Sequence, residues 1–146
     1  MVKVINKKIT NMTEKQAMTA EQQQQWIREQ YLKATKYLAD KGLVTESVSE
    51  TDSRYLVPIL ALWKINLLDK TSVWAISGDL PTDHIVLTDQ EPARDVLRHF
   101  SLKWQLQAEN LLRSDNKEQH QFAQVLIGRA DGLYKIYENA ELWPEA

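Results

Sequence analysis

The sequence predicts an α+β fold: one N-terminal helix, a small antiparallel sheet of two or three strands, and two long C-terminal helices packed on it. Apolar residues recur at helical spacing in residues 19–42 and 88–143, whereas residues 59–77 alternate with the two-residue period of strands. Neither a helix nor a sheet can bury its apolar side alone, so we expect the C-terminal helices to cover one face of the sheet.

The length of 146 residues suits one ordinary domain with a core of its own. Residues 1–18 are polar and weakly basic and carry little anchoring bulk, so we expect them to form a flexible arm. Residues 19–146 are predicted to form a single α+β domain, because no repeat or linker interrupts them.

Composition excludes several classes of protein. The chain has no cysteine, which fits a reducing cytoplasm and removes disulfides, thiolate metal sites and cysteine nucleophiles. Its 18 basic and 20 acidic residues give a net charge of −2, which disfavours nucleic acid as a partner. No apolar run approaches the roughly 20 residues of a membrane span. We therefore expect a cytoplasmic protein with no membrane contact.

The first helix is predicted from its boundaries and its apolar face. Thr19 and Gln22 have the spacing of a capping box, and Gly42 can end the helix in the left-handed conformation. Between them, one apolar face is formed by Ile27, Tyr31, Ala34 and Leu38, widened by Trp26 and Tyr37.

The middle of the chain predicts a hairpin. Ser49 to Asp52 are expected to cap a short helix that Pro58 ends. Alternating residues then indicate strands over 59–66 and 72–77, joined by a polar turn. Residues 85–87 are a candidate third short strand.

The C-terminal half predicts two helices. Thr88 and Glu91 form a second capping box, and residues 113–117 carry polar residues typical of a break. The first apolar stripe comprises Ala93, Leu97, Phe100, Trp104, Ala108 and Leu111, and the second comprises Phe122, Val125, Leu126, Ala130, Leu133 and Tyr137. Gly128 and Gly132 are costly within a helix, so we expect close packing or a bound ligand to offset that cost and favour close packing.

The best candidate site is the loop at residues 77–84, SGDLPTDH. Its glycine, proline and aspartates suit a structural turn in which Asp79 accepts backbone N–H bonds. In the alternative, Asp79, Asp83 and His84 converge at the mouth of the sheet, where two carboxylates and an imidazole can bind a divalent cation or act as acid and base. A ligand could also stack on Trp74, although this side chain is expected to belong to the core.

No HExxH pair, glycine-rich phosphate cradle or nucleophile elbow occurs in the chain. We therefore favour a non-enzymatic binding or protein-interaction module that uses no cofactor or metal and takes a protein partner or a small ligand. The alternative is a small metal-assisted hydrolase or ligand-binding protein centred on the loop of residues 77–84.

Three segments carry a family resemblance: ALWKI at 61–65, VWAISGDLPTD at 73–83 and RHFSLKWQLQAE at 98–109. With them, the chain resembles a small family of uncharacterised bacterial proteins that is defined as a domain of unknown function. The resemblance covers roughly residues 20 to 143. It implies no activity, cofactor or catalytic residue.

Overall fold

The computed structural model describes residues 17–144. Within that range the elements are α1 (Ala20–Asp40), β1 (Thr45–Leu56), β2 (Leu60–Leu67), β3 (Ser72–Gly78), β4 (Asp83–Ile85), α2 (Ala93–Leu112), α3 (Lys117–Glu138) and a 3-10 turn (Ala140–Leu142). The predicted α+β class is confirmed. Nearly all of the predicted N-terminal arm lies outside the described residues.

The chain forms two compact units, one that ends at Ala93 and one that begins at Arg94. The first contains α1 and the sheet, and the second contains nearly all of α2 together with α3. That residues 19–146 fold as one domain stays a prediction.

Helix α1 begins and ends as its sequence predicts. The Thr19 hydroxyl accepts a hydrogen bond from the Gln22 backbone N–H at 3.1 Å, and the Gln22 side chain accepts one from the Thr19 N–H at 2.9 Å. This is a complete capping box, which satisfies two donors at the helix start. Gly42 follows the helix with a φ of 81°, the left-handed conformation that glycine adopts without strain.

The sheet is antiparallel throughout, with the strand order β1-β2-β3-β4. The predicted hairpin is confirmed, with β2 and β3 paired from Leu60 opposite Gly78 to Asn66 opposite Ser72. The additional short strand predicted at residues 85–87 corresponds to β4, which spans Asp83–Ile85 and pairs with β3, with Ile85 opposite Trp74.

The short helix predicted near Ser49 is wrong, because these residues belong to strand β1 and form an irregular bulge. The Ser49 hydroxyl donates to Asp52 at 2.7 Å, and the Ser53 hydroxyl donates to the Ser49 carbonyl at 2.7 Å. Such local hydrogen bonds serve a helix cap and a strand bulge equally well. Pairing with β2, which the local sequence does not encode, decided between them.

The core of the first unit lies between α1 and one face of the sheet. Trp63 is 2% exposed at its centre, with the Tyr31 ring 5.2 Å and the Tyr55 ring 4.8 Å from its own. The buried members of this core are Ala34, Leu38, Ala61, Trp63, Ile65, Leu67, Val73 and Ala75. The predicted apolar face of α1 is therefore the face that packs on the sheet.

Helix α2 starts at Ala93, so the capping box predicted at Thr88 and Glu91 is wrong. Pro92 disfavours the helical conformation for the residue before it, which delays the start of the helix. The predicted stripe itself is largely confirmed, since Ala93, Leu97, Phe100, Trp104 and Ala108 are buried.

Helices α2 and α3 form an antiparallel hairpin, hereafter the helical hairpin. The Ser101 hydroxyl donates to the Ala130 carbonyl at 2.8 Å, and the Arg94 guanidinium donates to the Tyr137 carbonyl at 2.8 Å. The predicted break is confirmed, since the Asn116 side chain caps α3.

The buried face of α3 differs from the prediction at its start. It consists of Ala123, Leu126, Ala130 and Leu133. Phe122 and Val125 were expected in that stripe, but they are 41% and 46% exposed. Both residues lie on the helix surface next to the buried face. Residue spacing alone does not distinguish this flanking surface from the buried face.

We predict that Trp63→Ala lowers the free energy of unfolding by about 3 to 5 kcal/mol, the usual result of emptying a buried aromatic site. Trp63→Phe keeps most of the volume but removes the indole N–H that donates to Ser77 at 3.0 Å, and should cost less. Denaturant melts of both variants measure this. A loss below about 1 kcal/mol for Trp63→Ala would contradict the central position of this ring.

The close packing expected at Gly128 and Gly132 is wrong: a Cβ added at either position would meet no atom of the structure within 4 Å. We therefore predict that Gly128→Ala and Gly132→Ala each stabilise the protein by up to about 1 kcal/mol, through helix propensity. Thermal melts of the single variants and of the double variant test this. Destabilisation by either alanine would show that a contact absent from this structure occupies the space.

Candidate functional site

The loop at residues 77–84 is held against α1 by Tyr37. The Tyr37 hydroxyl lies 3.1 Å from Asp83 Oδ1 and 3.0 Å from His84 Nδ1. The rings of Tyr37 and His84 are 5.5 Å apart between centroids, at a tilt of 59°. The structure thus brings together two predicted site residues, Asp83 and His84, and adds a tyrosine that the sequence analysis had placed only in the apolar face.

The donors of this cluster follow from its chemistry. An ionised Asp83 can only accept, and its Oδ1 also takes the His84 backbone N–H at 2.7 Å. Tyr37 has one hydroxyl proton, which it donates to Asp83. It then accepts from a protonated Nδ1 of His84, so neutral His84 carries its lone pair on Nε2. The cluster fixes the imidazole ring and its tautomer.

Tyr37 remains a neutral phenol near pH 7. Burial, together with the negative charge of Asp83 and the hydrogen bond to it, raises the pKa of Tyr37 from 10.0 to about 12. With this pKa, almost no phenolate is present near pH 7, so Tyr37 acts as a hydrogen-bond donor and not as a general base.

Other contacts from α1 reach the same end of the sheet. The buried Ser77 hydroxyl donates to the Gln30 carbonyl at 3.1 Å, and Lys33 Nζ lies 3.5 Å from the Gly78 carbonyl. Lys41 Nζ lies 5.4 Å from the Tyr37 ring centroid. One side of α1 therefore positions the start and the end of this loop.

The remaining predicted site residues are Asp79 and Trp74. The Asp79 side chain is exposed, and its backbone N–H donates to the Ile59 carbonyl at 2.9 Å. Gly78 before it has a φ of 137°, and a Cβ there would collide with Ile59. Trp74 is 1% exposed, with Lys64 Nζ 5.3 Å from its ring centroid. Among residues 17–144, no group of three or more His, Asp or Glu side chains is placed to hold a metal ion.

A second candidate site lies on the helical hairpin, where α2 and α3 form an open groove of about 680 Å³. Its lining is formed by Gln105, Ala108, Glu109, Leu112, Ile127, Asp131 and Tyr134. Each helix contributes one carboxylate to it. Glu109 pairs with Arg113, just after the end of α2, at 3.8 Å, and Asp131 pairs with Lys135 on α3 at 3.1 Å.

Sequence reasoning missed this groove. Leu112, Ile127 and Tyr134 lie outside the two stripes that were assigned to the core. The signal was available, because Ile127 and Tyr134 are seven apart and so share one helical face, which differs from the buried one. An apolar line beside the core stripe is typical of a surface that binds another helix.

The chain belongs to a family defined as a domain of unknown function, DUF4826, whose model matches residues 20–143. The resemblance drawn from the three segments is thereby confirmed, with the same extent. No curated protein and no solved structure matches the chain. Within residues 17–144, every helix is too short or too polar to cross a membrane.

We predict that Tyr37 makes stability fall at alkaline pH. The folded-state pKa of about 12 lies above the model value of 10.0, so the unfolded chain loses this proton first. The contribution of Tyr37 is complete below pH 10 and is lost as the pH rises towards 12. Melts of wild type and Tyr37→Phe over this range measure the difference. Burial also raises the pKa of Tyr55. Because Tyr55 is present in both proteins, its contribution cancels from the difference in stability between them. If the stability of the two proteins changed equally between pH 10 and pH 12, the hydrogen-bonded, buried environment of Tyr37 would be contradicted.

Proposed function

We propose that this protein is a non-enzymatic protein-interaction module whose helical hairpin binds an amphipathic helix of a partner protein. The observation that carries the proposal is the distribution of exposed apolar side chains. Of the eleven large hydrophobic residues exposed among residues 17–144, seven lie on the helical hairpin: Leu102, Leu106, Leu112, Phe122, Val125, Ile127 and Tyr134. Clustered exposed apolar residues on a water-soluble surface are typical of an interaction site.

Five of these residues form one surface, which we call the hairpin face: Leu102, Leu106, Leu112, Ile127 and Tyr134. Leu112, Ile127 and Tyr134 line the groove. Leu102 and Leu106 do not line the groove, but they precede its Gln105 and Glu109 by three residues each, the spacing of neighbours on a helix surface. Each leucine of this pair is 54% exposed.

The shape of the groove favours a helix as its occupant. A groove between two antiparallel helices runs along both axes and accepts a third helix through side chains at i, i+4 and i+7. Small ligands instead require a concave site that buries most of their surface. The groove is open to solvent along its rim, where the carboxylates of Glu109 and Asp131 lie.

The contacts of the loop at residues 77–84 also support this proposal. Tyr37 and Asp83 hydrogen-bond to each other and to His84, and these bonds support an interpretation of the loop as a structural connection between α1 and the sheet. For the alternative of a metal-assisted hydrolase at residues 77–84, the described residues contain no group of three or more His, Asp or Glu side chains placed to hold a metal ion.

The remaining parts of the proposal follow from composition. The absence of cysteine suits a reducing compartment, so we place the protein in the cytoplasm. The small net charge of −2 favours a protein partner over nucleic acid.

We predict that a fluorescent peptide with leucines at i, i+4 and i+7 and glutamine elsewhere binds the hairpin face. Ile127→Asp places a charge in the groove and should weaken binding by about tenfold or more, as for a central interface residue. Val86→Asp is the matched control, since Val86 is 66% exposed in the first unit. Fluorescence anisotropy measures both affinities. Equal binding by the two variants, or no binding by wild type that is monomeric at the assay concentration, would contradict the proposal.

A further inference from the structure

We propose that the partner of the hairpin face is a second copy of this chain, so that two helical hairpins associate face to face as a four-helix homodimer. The inference rests on the proposed function, because it names the occupant of the same surface. A closed pair of identical subunits requires a surface that is complementary to itself. The hairpin face meets this requirement in its apolar centre and in the charges beside it.

The charges beside the groove are of both signs. Glu109 on α2 precedes Arg113, the first residue after that helix, by four positions, and Asp131 precedes Lys135 by four positions on α3. All four side chains are 64% to 74% exposed. Exposed pairs of this kind contribute little within one chain, so these groups can exchange their partners for those of a second copy.

This pattern favours a copy of the chain over a partner of one charge sign. A strongly basic or acidic partner helix would meet attraction at two of the four groups and repulsion at the other two. A second copy presents the same two carboxylates and two cations, so every charge can find its opposite.

The second unit as a whole does not oppose self-association. Residues 94–144 contain seven basic and seven acidic side chains. Two copies of a balanced surface meet without net repulsion, and the apolar side chains between the charges supply the attraction.

The homodimer is tested with two variants, each of which gives all four charged groups the same sign. One variant, Glu109→Lys with Asp131→Lys, makes all four groups positive. The other, Arg113→Glu with Lys135→Glu, makes them negative. Sedimentation equilibrium of the full chain, over about two decades of concentration, measures association. We expect a wild-type dimer, a dissociation constant raised about tenfold or more in each variant alone, and restored dimers in their equimolar mixture.

Folding is controlled separately. All four positions are exposed, and far-ultraviolet circular dichroism checks that each variant keeps its helices. If a charge variant does not fold, Leu106→Lys tests the same face with one substitution and is expected to be monomeric. Val86→Lys, on the first unit, is the matched control and should remain dimeric.

The inference is overturned if the wild type is monomeric throughout, if the charge variants dimerise as well as the wild type, or if their mixture stays monomeric. A monomeric wild type that still binds the leucine peptide, and loses it with Ile127→Asp, would remove the second copy as the partner and leave the proposed function standing. A monomeric wild type with no peptide binding would remove both.

Discussion

The buried hydroxyl of Ser77 is the interaction on which the first unit depends. It accepts the indole N–H of Trp63 at 3.0 Å and donates to the Gln30 carbonyl of α1 at 3.1 Å. Ser77 is completely buried, so both bonds form away from competing water. One side chain thereby fixes the central core tryptophan and the position of α1 over the sheet.

The contacts of the loop at residues 77–84 follow from that anchor. With Gln30 fixed over Ser77, the positions three and seven residues later on α1 place Lys33 near Gly78 and Tyr37 near Asp83 and His84. A register shift of α1 would break all of these contacts together. Among the polar residues of this loop, Asp83 and His84 contact Tyr37 and so connect the end of the sheet to the helix.

The two units differ in how much of their apolar surface they bury. In the first, the rings of Tyr31 and Tyr55 pack against the buried Trp63. In the second, the helical hairpin buries one stripe of each helix and leaves another, the hairpin face, in solvent. That exposed surface contributes little to folding of the unit itself, and its side chains are those expected of a binding surface. Function is therefore best sought on the hairpin.

The sequence by itself determined the elements whose signals are local. The capping box at Thr19, the alternation of β2 and β3 and the break at residues 113–117 each depend on neighbouring residues, and these three predictions are confirmed. Tertiary structure decided the rest. Strand β1 formed from a segment with capping signals because it pairs with β2, and Tyr37 met His84 across 47 positions of the chain. The exposure of Phe122 and Ile127 was likewise fixed by which side of α3 faces α2. Pairing and packing join residues distant in the chain, and a one-dimensional pattern does not record which distant residue each side chain will meet.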